Sequence, residues 1–140
     1  MIEIHNVHKA IENLTPIANR GPDTPEDVVV AGFEILGRGD FRDAAINLGT
    51  FNGDAGWERH VQGDEIVHVV AGETDIQMLI DGEKQTIQVG TGDLLVVPRG
   101  TWHRLQSEKG VTVITATPEG HEDHAFVDDP RTIYPCSPQI

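Results

Sequence analysis

The sequence predicts an all-β domain, either a sandwich or a closed barrel. Fifteen glycines and eight prolines among 140 residues fall as punctuation between short runs rich in Val, Ile and Thr. Eight such runs follow one another at turn-sized intervals, the spacing of an antiparallel β architecture rather than of alternating helices and strands. The best-defined pair, around Asp81-Gly82, alternates apolar and polar residues with a period of two.

Taken along the chain, residues 8–14 form the one helix the pattern allows, stopped by Thr15-Pro16. Residues 15–27 are rich in Pro, Asp and Gly and read as the end of an N-terminal arm spanning 1–27, which drapes over the core or reaches a second protomer. Strands are predicted over 28–36, 44–51, 65–70, 74–80, 84–89, 93–97, 103–106 and 111–117, which together make a compact core from 28 to 117. Ile76, Met78 and Ile80 share one face of their strand, and Ile87 and Val89 share one face of the next. The intervening Asp81-Gly82 is the signal for a two-residue type I′ hairpin, so these two strands pair antiparallel. Residues 118–140 read as a polar tail, and His121-Glu122-Asp123-His124 within it as exposed, because an i, i+3 histidine pair outside a helix converges on nothing. A single domain is expected at this length.

Charge and hydropathy exclude several functions. Ten Lys and Arg against 23 Asp and Glu give a formal charge of −13, which repels nucleic acid and anionic lipid surfaces. The longest apolar stretch, around 28–33, is far shorter than the about 20 residues a membrane-spanning helix requires. The first residues show no export signal. The single cysteine, Cys136, cannot form an intrachain disulfide, and a reducing, cytoplasmic setting is expected.

Ligand-capable side chains concentrate in two segments, 56–65 (GWERHVQGDE) and 92–103 (GDLLVVPRGTWH). Residues two apart on a strand point the same way, so Glu58 and His60 project from one face about 7 Å apart, within reach of one ion. Glu65 lies an odd number of residues beyond His60, but Gln62-Gly63-Asp64 supplies a bend that resets the face. His103 follows the turn Pro98-Arg99-Gly100, which returns a later strand to the sheet. The set is two carboxylates and two imidazoles. The alternative is a hydrogen-bonded core with no metal, in which Glu58 pairs with Arg59 or Arg104; a carboxylate buried without metal or cation costs several kcal/mol. His68 has the opposite strand parity to Glu65 and faces away. Trp57 and Trp102 are read as core or outer-sheet packing, Met78 as packing, and Asp64, Asp93 and Arg99 as turn and surface residues.

These two segments resemble the paired motifs of the cupins, small jelly-roll barrels. The first family motif runs Gly, five residues, His-x-His, three or four residues, Glu, six residues, Gly. Here Glu65, six residues and Gly72 match its second half, His60 fits its second His, and Glu58 stands at its first. The second runs Gly, five residues, Pro-x-Gly, two residues, His, three residues, Asn; Gly92, Pro98, Gly100 and His103 fall in place, with Ser107 at the Asn position. The string WERHVQGDE also resembles a subgroup of small conserved-barrel cupins carrying Trp-Glu-x-His.

The resemblance implies a double-stranded β-helix barrel over 28–117, and a single divalent metal ion, Zn, Mn, Fe or Ni, held by Glu58, His60, Glu65 and His103. It also implies a small-molecule ligand and a homodimer built through arm or strand exchange. Two carboxylates cancel the charge of a dication, so such a centre polarises substrate and acidifies water less than a three-His, one-Glu site. That disfavours chelation of a dianion and favours neutral or cationic ligands. Isomerase, hydrolase, lyase and oxygenase chemistry all remain open to an enzyme of this kind; the rival is a non-catalytic metal- or small-molecule-sensing module.

Overall fold

The computed structural model describes residues 2–134; Cys136 lies outside them. The chain runs α1 (Val7–Glu12), β1 (Ile17–Arg20), α2 (Glu26–Ala31), β2 (Phe33–Phe41), β3 (Ala44–His60), β4 (Glu65–Ile80), β5 (Glu83–Gly90), β6 (Leu94–Val97), β7 (His103–Pro118), β8 (Glu122–Ala125) and a 3-10 turn, Pro130–Thr132. The all-β jelly roll expected from the sequence is what forms.

Its frame is three long strands in the order β3-β7-β4. Their pairing shifts register at bulges: between Phe51 and Gly53, where the extra residues lie on β7, between Asp54 and Trp57 on β3, between Val69 and Ala71 on β4, and between Gly72 and Asp75, again with the extra residues on β7. An extra residue in one strand bends and twists it, so each long strand contributes its two halves to two different layers. In one layer β2 flanks the first half of β3 and β6 flanks the first half of β4. In the other, β8 flanks the end of β3 and β5 flanks the second half of β4. The sequence showed these long strands as separate short runs because the bulges break the period of two. Between the layers pack Val67, Val69, Ile76, Met78, Val97, Leu105 and Val113, all at most 6% exposed. The hairpin at Asp81-Gly82 forms as predicted, with φ of 52° and 81° at its two residues and Ile80 opposite Glu83. Val89 is buried, but Ile87 is 41% exposed because β5 is an edge strand.

Two local expectations are corrected. The apolar run 28–36 is not one strand: Glu26–Ala31 is helical and β2 begins at Phe33. Pro25 precedes the helix with φ −59° and Glu26 and Asp27 occupy its first turn, where negative charge complements the helix dipole; these start signals outweigh the β preference of Val28–Val30. The segment 121–124 is not an irregular tail, since Glu122–Ala125 is a strand paired antiparallel with β3; His121, Glu122 and His124 are exposed as expected, while Asp123 is buried. The early helix is present as Val7–Glu12, capped by Asn6, whose Oδ1 accepts from Lys9 N at 3.0 Å.

β1, within the N-terminal arm, pairs parallel with β3 of its own chain, Arg20 opposite Gly53. Gly53 has φ +101°, and a Cβ there would meet Arg20 N and O at 2.5 Å. Only glycine permits this approach of the two backbones.

Candidate metal centre

Glu58 and His60 end β3, Glu65 opens β4 and His103 opens β7. Glu58 lies directly opposite His103 across the β3–β7 pair. The turns that carry these residues are tied together: Gly100 N donates to His60 O at 2.7 Å and Arg99 N donates to Asp64 Oδ1 at 2.7 Å. The bend after His60 thus does what the sequence required of it and returns Glu65 to the same interior.

The four side chains meet there. One ligand atom from each lies within 4.8 Å of all the others. His60 and Glu65 are 3% exposed and His103 is fully buried, while Glu58, at 29% side-chain exposure, reaches toward solvent. His103 Nε2 faces Glu58 Oε1 and Glu65 Oε1, each at 3.1 Å, and its Nδ1 faces the Thr101 carbonyl at 3.0 Å. Both ring nitrogens therefore face acceptors, and the ring donates from both as an imidazolium. Its pKa is raised well above the ordinary 6.5: burial opposes this, but the two carboxylates overcome it. Burial likewise opposes ionisation of Glu58 and Glu65, yet the histidines hold both below the usual carboxylate range. His60 is raised as well, by Glu65 and then Glu58 against the opposing effect of burial.

The pairings considered for Glu58 without metal do not form. Arg59 donates to Asp123 Oδ2 at 3.0 and 2.6 Å, and Arg104 grips Asp54 with Nε and Nη2. His68 faces away as its parity requires, its Nδ1 3.1 Å from Asp93 O. Trp57 and Trp102 are buried, and the Arg59 guanidinium stacks 4.5 Å from the Trp102 ring. Ser107, at the second motif's Asn position, donates to Glu73 O at 2.7 Å and accepts from Gly110 N at 3.0 Å, bracing a turn.

Four contributors escaped the sequence pattern. Thr117 donates to Glu65 Oε2 at 2.6 Å, and Asn47 Nδ2 donates to Thr117 at 3.2 Å. Glu122, opposite His60 on β8, places Oε1 3.8 Å from His60 Nδ1. Burial first, and the neighbouring Glu58 second, push its pKa up to about 8. Arg20 lines the same cavity from β1. For Glu122 the sequence carries no apolar alternation, since 122–125 reads Glu-Asp-His-Ala.

The donor set suits a divalent ion. Carboxylate oxygens and imidazole nitrogens are the ligands of first-row metals and zinc. His60 Nε2, buried and 3.2 Å from Glu65 Oε2, has no hydrogen-bond partner, an orphaned polar atom that a bound ion would satisfy. Beside the cluster opens a cavity of about 430 Å³ that reaches solvent, with Glu58 and Glu65 in its wall.

A jelly roll with a mixed His/Glu cluster at its mouth defines a class of small barrel proteins, and the comparisons agree with it. Residues 50–117 match the Cupin domain family. The chain is 33% identical over 98 residues to the uncharacterized protein YdbB of Bacillus subtilis (strain 168), covering 69% of this chain and 76% of that one. It is 40% identical over 50 residues to the acireductone dioxygenase of Rhodopseudomonas palustris (strain TIE-1), a match to 36% of this chain and 30% of that enzyme. Protein NMB1881 from Neisseria meningitidis superposes with a TM-score of 0.61 at 20% identity, over 84% of this chain and 100% of that one. The chain belongs to the cupin family.

Proposed function

We propose that this cupin is a metal-dependent enzyme that holds one divalent ion through Glu58, His60, Glu65 and His103 and acts on a small polar metabolite in the adjoining cavity. The observation that carries this reading is the convergence of four donor atoms within 4.8 Å at the wall of a solvent-connected cavity. A bound ion would act as a Lewis acid on a substrate oxygen.

The chain's own residues prepare for this role. Thr117, held by Asn47, fixes Glu65 Oε2 by donating to it, and the Thr101 carbonyl fixes the plane of the His103 ring. Such outer hydrogen bonds orient ligands and tune their basicity. Glu58 is the most exposed of the four and faces the side from which substrate arrives. Two carboxylates balance the dication, which favours polarising a bound substrate over generating a strong metal hydroxide. Isomerase, lyase, hydrolase and oxygenase chemistry fit that character; the likeness to an acireductone dioxygenase makes O₂ consumption the first activity to assay.

Metal content of the purified chain, with and without loading by Mn, Fe, Ni or Zn, tests the proposal. Glu58→Gln and His103→Ala should each weaken the apparent affinity by more than about tenfold, since loss of a mere outer partner already does that much. His68→Ala should leave it unchanged. Absence of uptake, or equal losses in all three variants, removes the metal reading. Metal binding with tight ligand binding but no turnover across hydroxy acids, sugars, diketones and ureido compounds would replace the enzyme by a sensing module.

A further inference from the structure

We propose that Arg20 is the anion-binding residue of the cavity, and that its ligand is a small monocarboxylate with an apolar body. Three features of the structure support this, and only the choice of a monoanion over a dianion draws on the proposed metal.

The first is placement. In an unbroken strand, residues three apart face opposite ways, yet Ile17 and Arg20 both line the cavity. The pairing with β3 shifts register between them, and Asn19 has φ +52°, a left-handed conformation that asparagine tolerates better than most residues. This kink, together with the close approach allowed at Gly53, turns Arg20 inward. Its guanidinium lies 5.3 Å from the centroid of the buried Phe51 ring, a stacking that steadies the cation from one side.

The second is charge. Among the described residues Arg20 has no carboxylate within 4 Å and its side chain donates no hydrogen bond, whereas Arg59 and Arg104 each have their own aspartate. The carboxylates that face Arg20 are Glu58, Asp54 and Glu122, and each has another partner. Asp54 is gripped by Arg104, Glu58 accepts from His103, and Glu122 lies beside His60. The guanidinium is a planar fork suited to a carboxylate, and it is left with free donors. With the dication balanced by Glu58 and Glu65, Arg20 leaves one positive charge over, which fits a monoanion better than a dianion. The preference for neutral or cationic ligands suggested by Glu58 alone is revised accordingly.

The third is the rest of the wall. Phe51, Leu105, Val113, Val29 and Phe33 line the cavity beyond Arg20, and its volume of about 430 Å³ falls in the range of small-ligand sites. An apolar body would bury against these side chains while its carboxylate meets Arg20.

In its substrate class this inference deepens the proposed function, but the anion subsite does not need the metal. The probes are benzoate, its neutral isostere benzamide and the dianion phthalate, titrated calorimetrically into the full chain, metal-loaded and metal-free. The native chain should bind benzoate at least about tenfold more tightly than benzamide and more tightly than phthalate. Arg20→Gln should abolish the preference and Arg20→Lys keep part of it, with thermal melts confirming that both variants fold. The inference is overturned by an absence of benzoate binding or preference in the native chain, or by a preference that survives in Arg20→Gln. If no metal is taken up and the preference persists, only the metal reading falls.

Discussion

Loading the centre with a divalent ion should expel protons, and the number follows from the hydrogen bonds of His103. Without metal its Nδ1 donates to the Thr101 carbonyl and its Nε2 to Glu58 and Glu65, so the ring is cationic at neutral pH. A ligating imidazole must be neutral at the nitrogen that binds, so the Nε2 proton leaves as the ion enters. His60 is also raised and contributes part of a second proton. Uptake at pH 7 should therefore release between about one and two protons per ion, and apparent affinity should climb about tenfold to a hundredfold per pH unit on the acid side of the His103 pKa. Calorimetry in two buffers of equal pH and different ionisation enthalpy counts the protons directly. The same shifts fix the stability of the metal-free protein. The raised imidazoles stabilise it fully below their ordinary 6.5 and less as pH rises through their folded values. The depressed carboxylates stabilise it above their ordinary 4.5 and less as pH falls through theirs. The cluster's contribution thus peaks between those two pH values, and a melt series across them reads it. A buffer-independent binding enthalpy, with affinity flat between pH 6 and 8, would refute the imidazolium assignment.

Two other contacts yield sharp expectations. Arg59 and Asp123 are 6% and 8% exposed at their side chains and meet at 2.6 Å, so Arg59→Met leaves a buried carboxylate facing only His121 and should cost about 3–5 kcal/mol in urea unfolding; a loss under about 1 kcal/mol would mean that water reaches the pair. Thr117→Val deletes the donor to Glu65 Oε2 and should weaken metal binding about tenfold to a hundredfold, while Thr117→Ser keeps the hydroxyl and the affinity; identical behaviour of the two variants would assign the hydroxyl no part in holding Glu65.

The site was more legible than the frame around it, for a physical reason. Glu58 and His60 declare a shared face through the period of two, and the glycines and prolines around Glu65 and His103 mark the turns that redirect the chain, so local rules sufficed. Strand length was illegible because bulges at Gly53 and near Gly72 interrupt alternation without ending hydrogen bonding. The helix at Glu26–Ala31 competed with three consecutive valines, whose branching favours strands, and was decided by the Pro25-Glu26-Asp27 start. The strand at Glu122–Ala125 depends on pairing with β3, a partner more than sixty residues away that no local window contains. Arg20 was hidden twice over, since both its strand and its inward turn depend on Asn19 and on the missing side chain at Gly53.

Such long-range placement also decides how scarce positive charge is used. With ten basic residues against 23 acidic ones, an unpaired cation in the interior is costly unless something else compensates it. Arg59 on the outer face and Arg104 at the rim are matched to Asp123 and Asp54, and each pair braces the end of β3 or β7 that carries a metal-site residue. Arg20 departs from this rule in the one place where a ligand's own charge would take the counter-ion's part. On the proposed reading, a centre neutralised by its carboxylates, bordered by one uncommitted guanidinium and apolar side chains, would select its substrate by the end that does not touch the metal. The two functional groups of such a substrate would be read separately: its polar, reacting group at the cluster and its carboxylate at the N-terminal strand. Catalytic power and specificity would then be separable by mutation, the former lost at Glu58 and the latter at Arg20.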